Sequence, residues 1–175
     1  MCWNGLPDGW NTMTGHTMDI GDRINVGIGE FSVGSMTMTS IGLGSCIALI
    51  IHDEHLSIGG VAHIMLPDSK GRDDRPGKFA DTAVPVLKNE LIKRGSRPRS
   101  LGATIIGGAR MFQGFRGDLD IGTRNIEAVR QCLMVHSIPL VTEETGGTSG
   151  RSITYAPRDS GRITIKQANG EWKEL

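Results

Sequence analysis

The residues best suited to do chemistry are a cysteine and a histidine, Cys46 and His63, which sit in two apolar runs within the stretch Ser40 to Pro67. A polar break separates the runs. If Cys46 to Asp53 and Ser57 to Leu66 are the arms of an antiparallel hairpin, then Asp53, Glu54, His55 and Leu56 form its loop. A two-residue turn at Glu54 and His55 and a four-residue loop over Asp53 to Leu56 share one centre and so give one register. That register sets Cys46 directly opposite His63. Opposed residues share a face with Cβ atoms roughly 4.5 to 5.5 Å apart, a separation at which an imidazole can take a proton from a thiol. His52 lies six residues along the same strand from Cys46, roughly 20 Å away at about 3.3 Å per residue, and is not the partner.

A thiol needs a base or local positive potential to act as a nucleophile near neutral pH. His63 supplies it, and an imidazole in turn needs a third group to fix its orientation. The Ser40 hydroxyl, six residues before Cys46, is the candidate. Between them lies Gly42-Leu43-Gly44-Ser45, where two glycines allow backbone angles closed to other residues and leave N–H groups free to face a ligand. Gly44 and Ser45 are candidate oxyanion-hole residues. The segment lacks both the third glycine of a dinucleotide fingerprint and the Gly-Lys-Ser/Thr of a phosphate loop. A lone cysteine or histidine in an apolar run is ordinarily a core residue. Here the two face each other behind a glycine-rich turn, which points to a cysteine hydrolase or acyl-transfer site.

The surrounding elements alternate in type. Arg23 to Val33 and Met36 to Ile41 read as strands that lead into the glycine turn. After the hairpin, Pro67 to Gly77 is a charged loop, and Lys78 to Arg94 has helical spacing with Gly95 as its stop. Pro85 should kink that helix or mark a late start. Leu101 to Ile106 is a buried-type strand ending in Gly107 and Gly108, a pair able to line a pocket, and Arg110 to Gly117 is turn-rich. A second helix fits Thr123 to Ser137, with Ile126, Val129, Leu133 and Cys132 turned inward. Leu140 to Glu143, Arg151 to Ala156 and Arg162 to Lys166 complete the strands. The order strands, helix, strand, helix, strands predicts an α/β (α+β) sandwich with a mixed, largely antiparallel sheet and two main helices. Residues 1–21 read as a flexible leader and 22–175 as a single domain.

Composition narrows the function classes. Nineteen Lys and Arg balance nineteen Asp and Glu without a basic block, so neither nucleic acid nor an anionic membrane is indicated as a partner. Cys2, Cys46 and Cys132 are odd in number and widely spaced, which suggests a reduced cytoplasmic protein and no metal half-site. No apolar run approaches the ~20 residues of a membrane span.

The runs G-L-G-S-C-I-A-L and G-G-V-A-H-I-M-L-P resemble the core signature of the CheD family, the chemoreceptor glutamine deamidases of bacterial and archaeal chemotaxis. The resemblance continues through Gly27 to Val33, Ile106 to Phe112, Ile121 to Asn125 and Gly146 to Arg151, in the family's order. It implies hydrolysis of the side-chain amide of receptor glutamines, without a cofactor, on a fold related to cytotoxic deamidase toxins. It also implies a catalytic Cys, His and Thr, whose positions fall on Cys46, His63 and Ser40. Serine in place of threonine keeps the hydroxyl and loses a methyl, leaving the rotamer less restricted. Thr39 would point to the other face. The implied partners are methyl-accepting chemotaxis receptors and a CheC-type phosphatase. Alternatives are that the chain acts mainly as a non-catalytic binding partner of such proteins, or as a cysteine hydrolase of another amide.

Overall fold

A computed structural model of the chain describes residues 23–72, 74–110 and 120–175. In chain order the strands are β1 (Arg23–Asn25), β2 (Phe31–Gly34), β3 (Thr37–Leu43), β4 (Ile47–Asp53), β5 (Ile58–Ile64), β6 (Leu101–Gly107), β7 (Leu140–Thr145), β8 (Arg151–Ala156), β9 (Arg162–Gln167) and β10 (Trp172–Glu174). The helices are α1 (Ala80–Lys93) and α2 (Ile121–Val135).

Strand β4, Ile-Ala-Leu-Ile-Ile-His-Asp, is apolar on both of its faces and buried on both. The arrangement around it explains why. It is the centre of a five-stranded sheet ordered β2-β5-β4-β6-β7. Its odd-numbered residues Ile47, Leu49 and Ile51 pack on one side in a core that includes Ala83, Val84 and Leu87 of α1 and Ile126, Val129 and Leu133 of α2. Its even-numbered residues Ala48 and Ile50 pack on the other side with Met38, Leu43, Ile153, Tyr155 and Ile165 of a second five-stranded sheet, ordered β1-β3-β8-β9-β10. A strand covered on both faces reads as a continuous apolar run rather than an alternation. The result is a layered α+β sandwich in which β1–β3 and β6–β7 are the parallel pairs and the other ladders are antiparallel.

Four expectations are corrected. Arg23 to Val33 is not one strand: β1 and β2 belong to different sheets. The break is a turn in which the Glu30 amide donates to the Gly27 carbonyl and the Gly27 amide to the Glu30 carboxylate, with Gly29 at φ +78°. The first helix starts at Ala80, after a 3-10 turn at Pro76–Lys78, and runs through Pro85. The hairpin loop is Glu54 to Ser57, because Asp53 still pairs with Ile58. Asp53 is held there by its carboxylate, which accepts from the His55 and Leu56 amides and from the Ser100 hydroxyl, while Ser57 takes φ 52°. That centre pairs His63 with Ala48 rather than with Cys46. The second helix begins at Ile121, two residues early, on an Asp120 cap that accepts from the Gly122 amide. The expected leader and most of the Arg110 to Gly117 segment lie outside the described residues.

At the far end of the interface between the sheets, His52 Nδ1 and the Tyr155 hydroxyl are hydrogen-bonded at 2.6 Å. Burial lifts the Tyr155 phenol well above its ordinary pKa, so the hydroxyl keeps its proton. The residue opposite His52 is Gly59, and a Cβ there would lie 1.8 Å from the Tyr155 oxygen and 2.8 Å from the Ile51 carbonyl. Substituting Gly59→Ala should therefore cost on the order of 1–3 kcal/mol or more through overpacking. Chemical denaturation of the variant measures this, and an unchanged midpoint would contradict the packing described.

Candidate active site

The two sheets are joined at their other end by a hydroxyl and an imidazole. Ser40 lies on β3 and points into the interface, and His63 lies on β5 and points back at it; both are fully buried. Ser40 Oγ is 2.9 Å from His63 Nδ1 and donates to the Val26 carbonyl, also at 2.9 Å. The serine hydroxyl has one proton, and a carbonyl can only accept. With that proton given to Val26, Ser40 Oγ accepts from Nδ1–H, which leaves Nε2 as the ring's lone-pair nitrogen. Nε2 is buried and has no hydrogen-bond partner among the described residues. The β1–β2 turn clasps the backbone of His63: its amide donates to the Glu30 carbonyl and its carbonyl accepts from the Gly29 amide.

Cys46 is a free thiol immediately before β4, partly buried, and packed against the cluster between the sheets. The β4–β5 ladder pairs Ala48 with His63 and Ile47 with Ile64, so one more step sets Cys46 beside Met65. Cys46 and Ala48 share a face because side chains alternate along a strand. The thiol is therefore on the same side of the sheet as His63, as its diagonal neighbour, a relation that brings Cβ atoms within about 7–8 Å. The segment leading to Cys46 carries a bulge: Ser40 pairs with Ile153 and Leu43 with Arg151, so three steps on β3 match two on β8, and Gly42 sits in the bulge at φ +74°.

The glycines act differently from expectation. The Gly44 amide donates to the Gly42 carbonyl, and the Gly108 amide donates to the Cys46 carbonyl at 2.8 Å, so neither N–H is free for a ligand. Gly107, at φ +119°, is where the chain presses on Cys46: a Cβ there would lie 2.2 Å from the Cys46 carbonyl oxygen. By contrast, the amides of Ser45 and Cys46 meet no backbone acceptor among the described residues. They are the N–H groups available to an oxyanion. The site also includes a residue not singled out from the sequence. Asn125 of α2 is fully buried, and its Nδ2 donates to the carbonyls of Ser45 and Met65, each at 3.0 Å. Its signal was present: residue 125 is one helical turn before the inward-facing Val129. Among the described residues, no three His, Cys, Asp or Glu side chains gather as a metal site.

A family model described as CheD chemotactic sensory transduction matches residues 65–167. The chain is 43% identical over 147 residues to the chemoreceptor glutamine deamidase CheD of Thermotoga maritima, covering 83% of this chain and 92% of that one. It is 43% identical over 148 residues to a probable chemoreceptor glutamine deamidase CheD of Methanococcus vannielii, covering 83% and 96%. A protein of the same description from Clostridium botulinum strain Hall is 41% identical over 164 residues, covering 90% of this chain and all of that one. The chain belongs to the CheD family. The solved structure of Bacillus licheniformis hypothetical protein YfiH aligns at a TM-score of 0.45 and 14% identity, over 67% of this chain and 51% of that one. The family-model match at 65–167 begins after Ser40, Cys46 and His63.

Electrostatics set the resting state of this CheD site. Burial pushes the Cys46 thiol above its ordinary 9.0. Burial also pushes His63 below its ordinary 6.5, against the Val26 carbonyl and the Glu30 carboxylate, which act the other way. At neutral pH the thiol therefore keeps its proton and the imidazole is uncharged, so the pair rests neutral rather than as thiolate and imidazolium. Alkylation of Cys46 by iodoacetamide, followed by peptide mass spectrometry, should be slow at pH 7 and rise about tenfold per pH unit to beyond pH 9. A rate already at plateau by pH 7 would show a preformed thiolate and contradict this.

Proposed function

We propose that this protein hydrolyses the side-chain amide of glutamines on methyl-accepting chemotaxis receptors, through Cys46, His63 and Ser40. The observation that carries the reading is the chain of hydrogen bonds from His63 Nδ1 through Ser40 to the Val26 carbonyl, which leaves the unpartnered Nε2 on the same face as the Cys46 thiol. The substrate class is that of the T. maritima relative, a chemoreceptor glutamine deamidase, and of the M. vannielii relative, a probable one.

The steps follow from the neutral resting pair. His63 Nε2 takes the thiol proton as Cys46 Sγ attacks the Cδ carbon of the substrate glutamine, and the carbonyl oxygen becomes an oxyanion facing the Ser45 and Cys46 amides. The imidazolium then gives its proton to the amide nitrogen. The C–N bond breaks, and ammonia leaves behind a thioester. Water, deprotonated by the same Nε2, attacks the thioester; Sγ departs and regains its proton, and the product is glutamate. Protonating the nitrogen before it leaves is what selects C–N over C–S cleavage in the first half. In every step Ser40 positions the ring, since its oxygen takes the Nδ1 proton as a hydrogen bond and holds Nε2 as the basic nitrogen.

The reading is tested by mass spectrometry of receptor cytoplasmic fragments incubated with the protein. Site-specific conversion of Gln to Glu should be abolished by Cys46→Ala and slowed on the order of 10²- to 10⁴-fold by His63→Ala, the usual contribution of a general acid and base. Ser40→Ala should slow it, and Ser40→Thr should retain it, because the hydroxyl is kept. Conversion that persists in Cys46→Ala would overturn the mechanism. Absence of conversion by the wild-type protein, with receptor binding intact, would favour a binding role instead.

A further inference from the structure

Asn125 makes two contacts that no step of the reaction above uses. Its carboxamide is fully buried on the inward face of α2. Both Nδ2 protons are committed, one to the carbonyl of Ser45 and one to the carbonyl of Met65, each at 3.0 Å. One side chain thus ties the residue before the thiol to the residue just beyond the base's strand, at the end where the β4–β5 ladder has stopped.

The Ser45 carbonyl belongs to the same peptide unit as the Cys46 amide. In a trans peptide the C=O and N–H point in opposite directions within one plane, so holding the oxygen fixes the direction of the hydrogen. The Cys46 N–H, which meets no backbone acceptor among the described residues, is therefore aimed away from Asn125. Donation to the carbonyl also polarises the unit and makes its N–H a stronger donor, the usual cooperativity of hydrogen-bond chains. The following peptide is pinned as well, because the Cys46 carbonyl accepts from the Gly108 amide at 2.8 Å. Helix α2 is close enough to impose this: a Cβ at Gly122 would lie 2.6 Å from the Gly108 carbonyl oxygen, and one at Gly108 would lie 2.6 Å from Ile126. A carboxamide at the next turn then falls behind the nucleophile loop.

We infer that Asn125 is a positioning residue for the reaction: it orients and polarises the Ser45–Cys46 peptide so that the Cys46 amide serves as an oxyanion donor. This rests on the deamidase reading above for its kinetic consequence, but not for its structural one. A residue that merely held the fold together would affect the thiol as much as the oxyanion, and that difference is measurable.

The experiment compares wild-type protein with Asn125→Asp, which keeps the shape and loses the donor, and Asn125→Ala. Losing an entire oxyanion donor costs about 10²- to 10³-fold in kcat. Misdirecting one should cost about 10- to 100-fold, with KM within about threefold. Iodoacetamide alkylation of Cys46, a displacement that forms no oxyanion, should stay within about twofold in the Asp variant. In isotope-labelled protein, the Ser45 carbonyl carbon and Cys46 amide nitrogen resonances should both move, while those of Ile163 in β9 do not. An unchanged kcat, a parallel loss of kcat and alkylation, or unmoved Ser45 and Cys46 resonances would each overturn the assignment. If the wild-type protein deamidates nothing, the deamidase reading fails separately, and the resonances and alkylation rate still decide whether Asn125 orients this peptide. If Asn125→Ala does not fold, Asn125→Asp alone carries the test.

Discussion

The interaction on which this site depends is one hydrogen bond between the two sheets, from His63 on β5 to Ser40 on β3. Each partner is fully buried, where an unpaired polar group would cost roughly 1–3 kcal/mol. Because Ser40 passes its own proton to Val26, the bond also has a direction, and that direction decides which ring nitrogen is basic. The sandwich is thus more than a support for the residues. The spacing between its sheets holds the hydroxyl at hydrogen-bonding distance, and the β1–β2 turn, which supplies Val26 and grips the His63 backbone, keeps the acceptor in place. Anything that slides one sheet over the other acts on the chemistry through this contact.

The same burial that makes the bond strong disfavours charge. Both members of the thiol and imidazole pair are pushed toward their neutral forms, Cys46 upward and His63 downward in pKa. In this account the proton moves as the substrate is attacked rather than beforehand. A neutral thiol is also less readily oxidised or alkylated than a thiolate, so reactivity is reserved for a bound amide whose developing negative charge the amides of Ser45 and Cys46 can meet. In the proposed mechanism catalysis then relies on oriented peptide dipoles, and the Gly42 bulge and the Gly107–Gly108 corner beside them are where the backbone takes positive φ.

Much of this was legible in the sequence, and the misses have physical causes. Alternation of side chains placed Cys46 and His63 on one face, and that was right. It did not distinguish registers that differ by two residues, because a slip of two leaves every side chain on its own face. The loop had to decide, and Asp53 decided it through local hydrogen bonds to His55, Leu56 and Ser100 that no apolar pattern reveals. The split of Arg23 to Val33 between two sheets was hidden for a similar reason: a glycine turn inside an alternating run looks like part of the strand. Gly44 reads as a free donor in the sequence, yet its amide is taken by the Gly42 carbonyl, because a sequence shows which amides are flexible but not which carbonyls they meet. Asn125 went unremarked since a polar residue in an apolar helical stripe reads as an interruption, whereas here it faces the two carbonyls left open by the end of a ladder.

The most direct measurement of the central claim is the tautomer of His63, read by long-range proton–nitrogen correlation in protein labelled with ¹⁵N in its histidine rings. The account predicts a neutral ring at pH 7 with the proton on Nδ1 and Nε2 unprotonated, and loss of that preference in Ser40→Ala. A His63 ring carrying its proton on Nε2, or on both nitrogens, at that pH would contradict it.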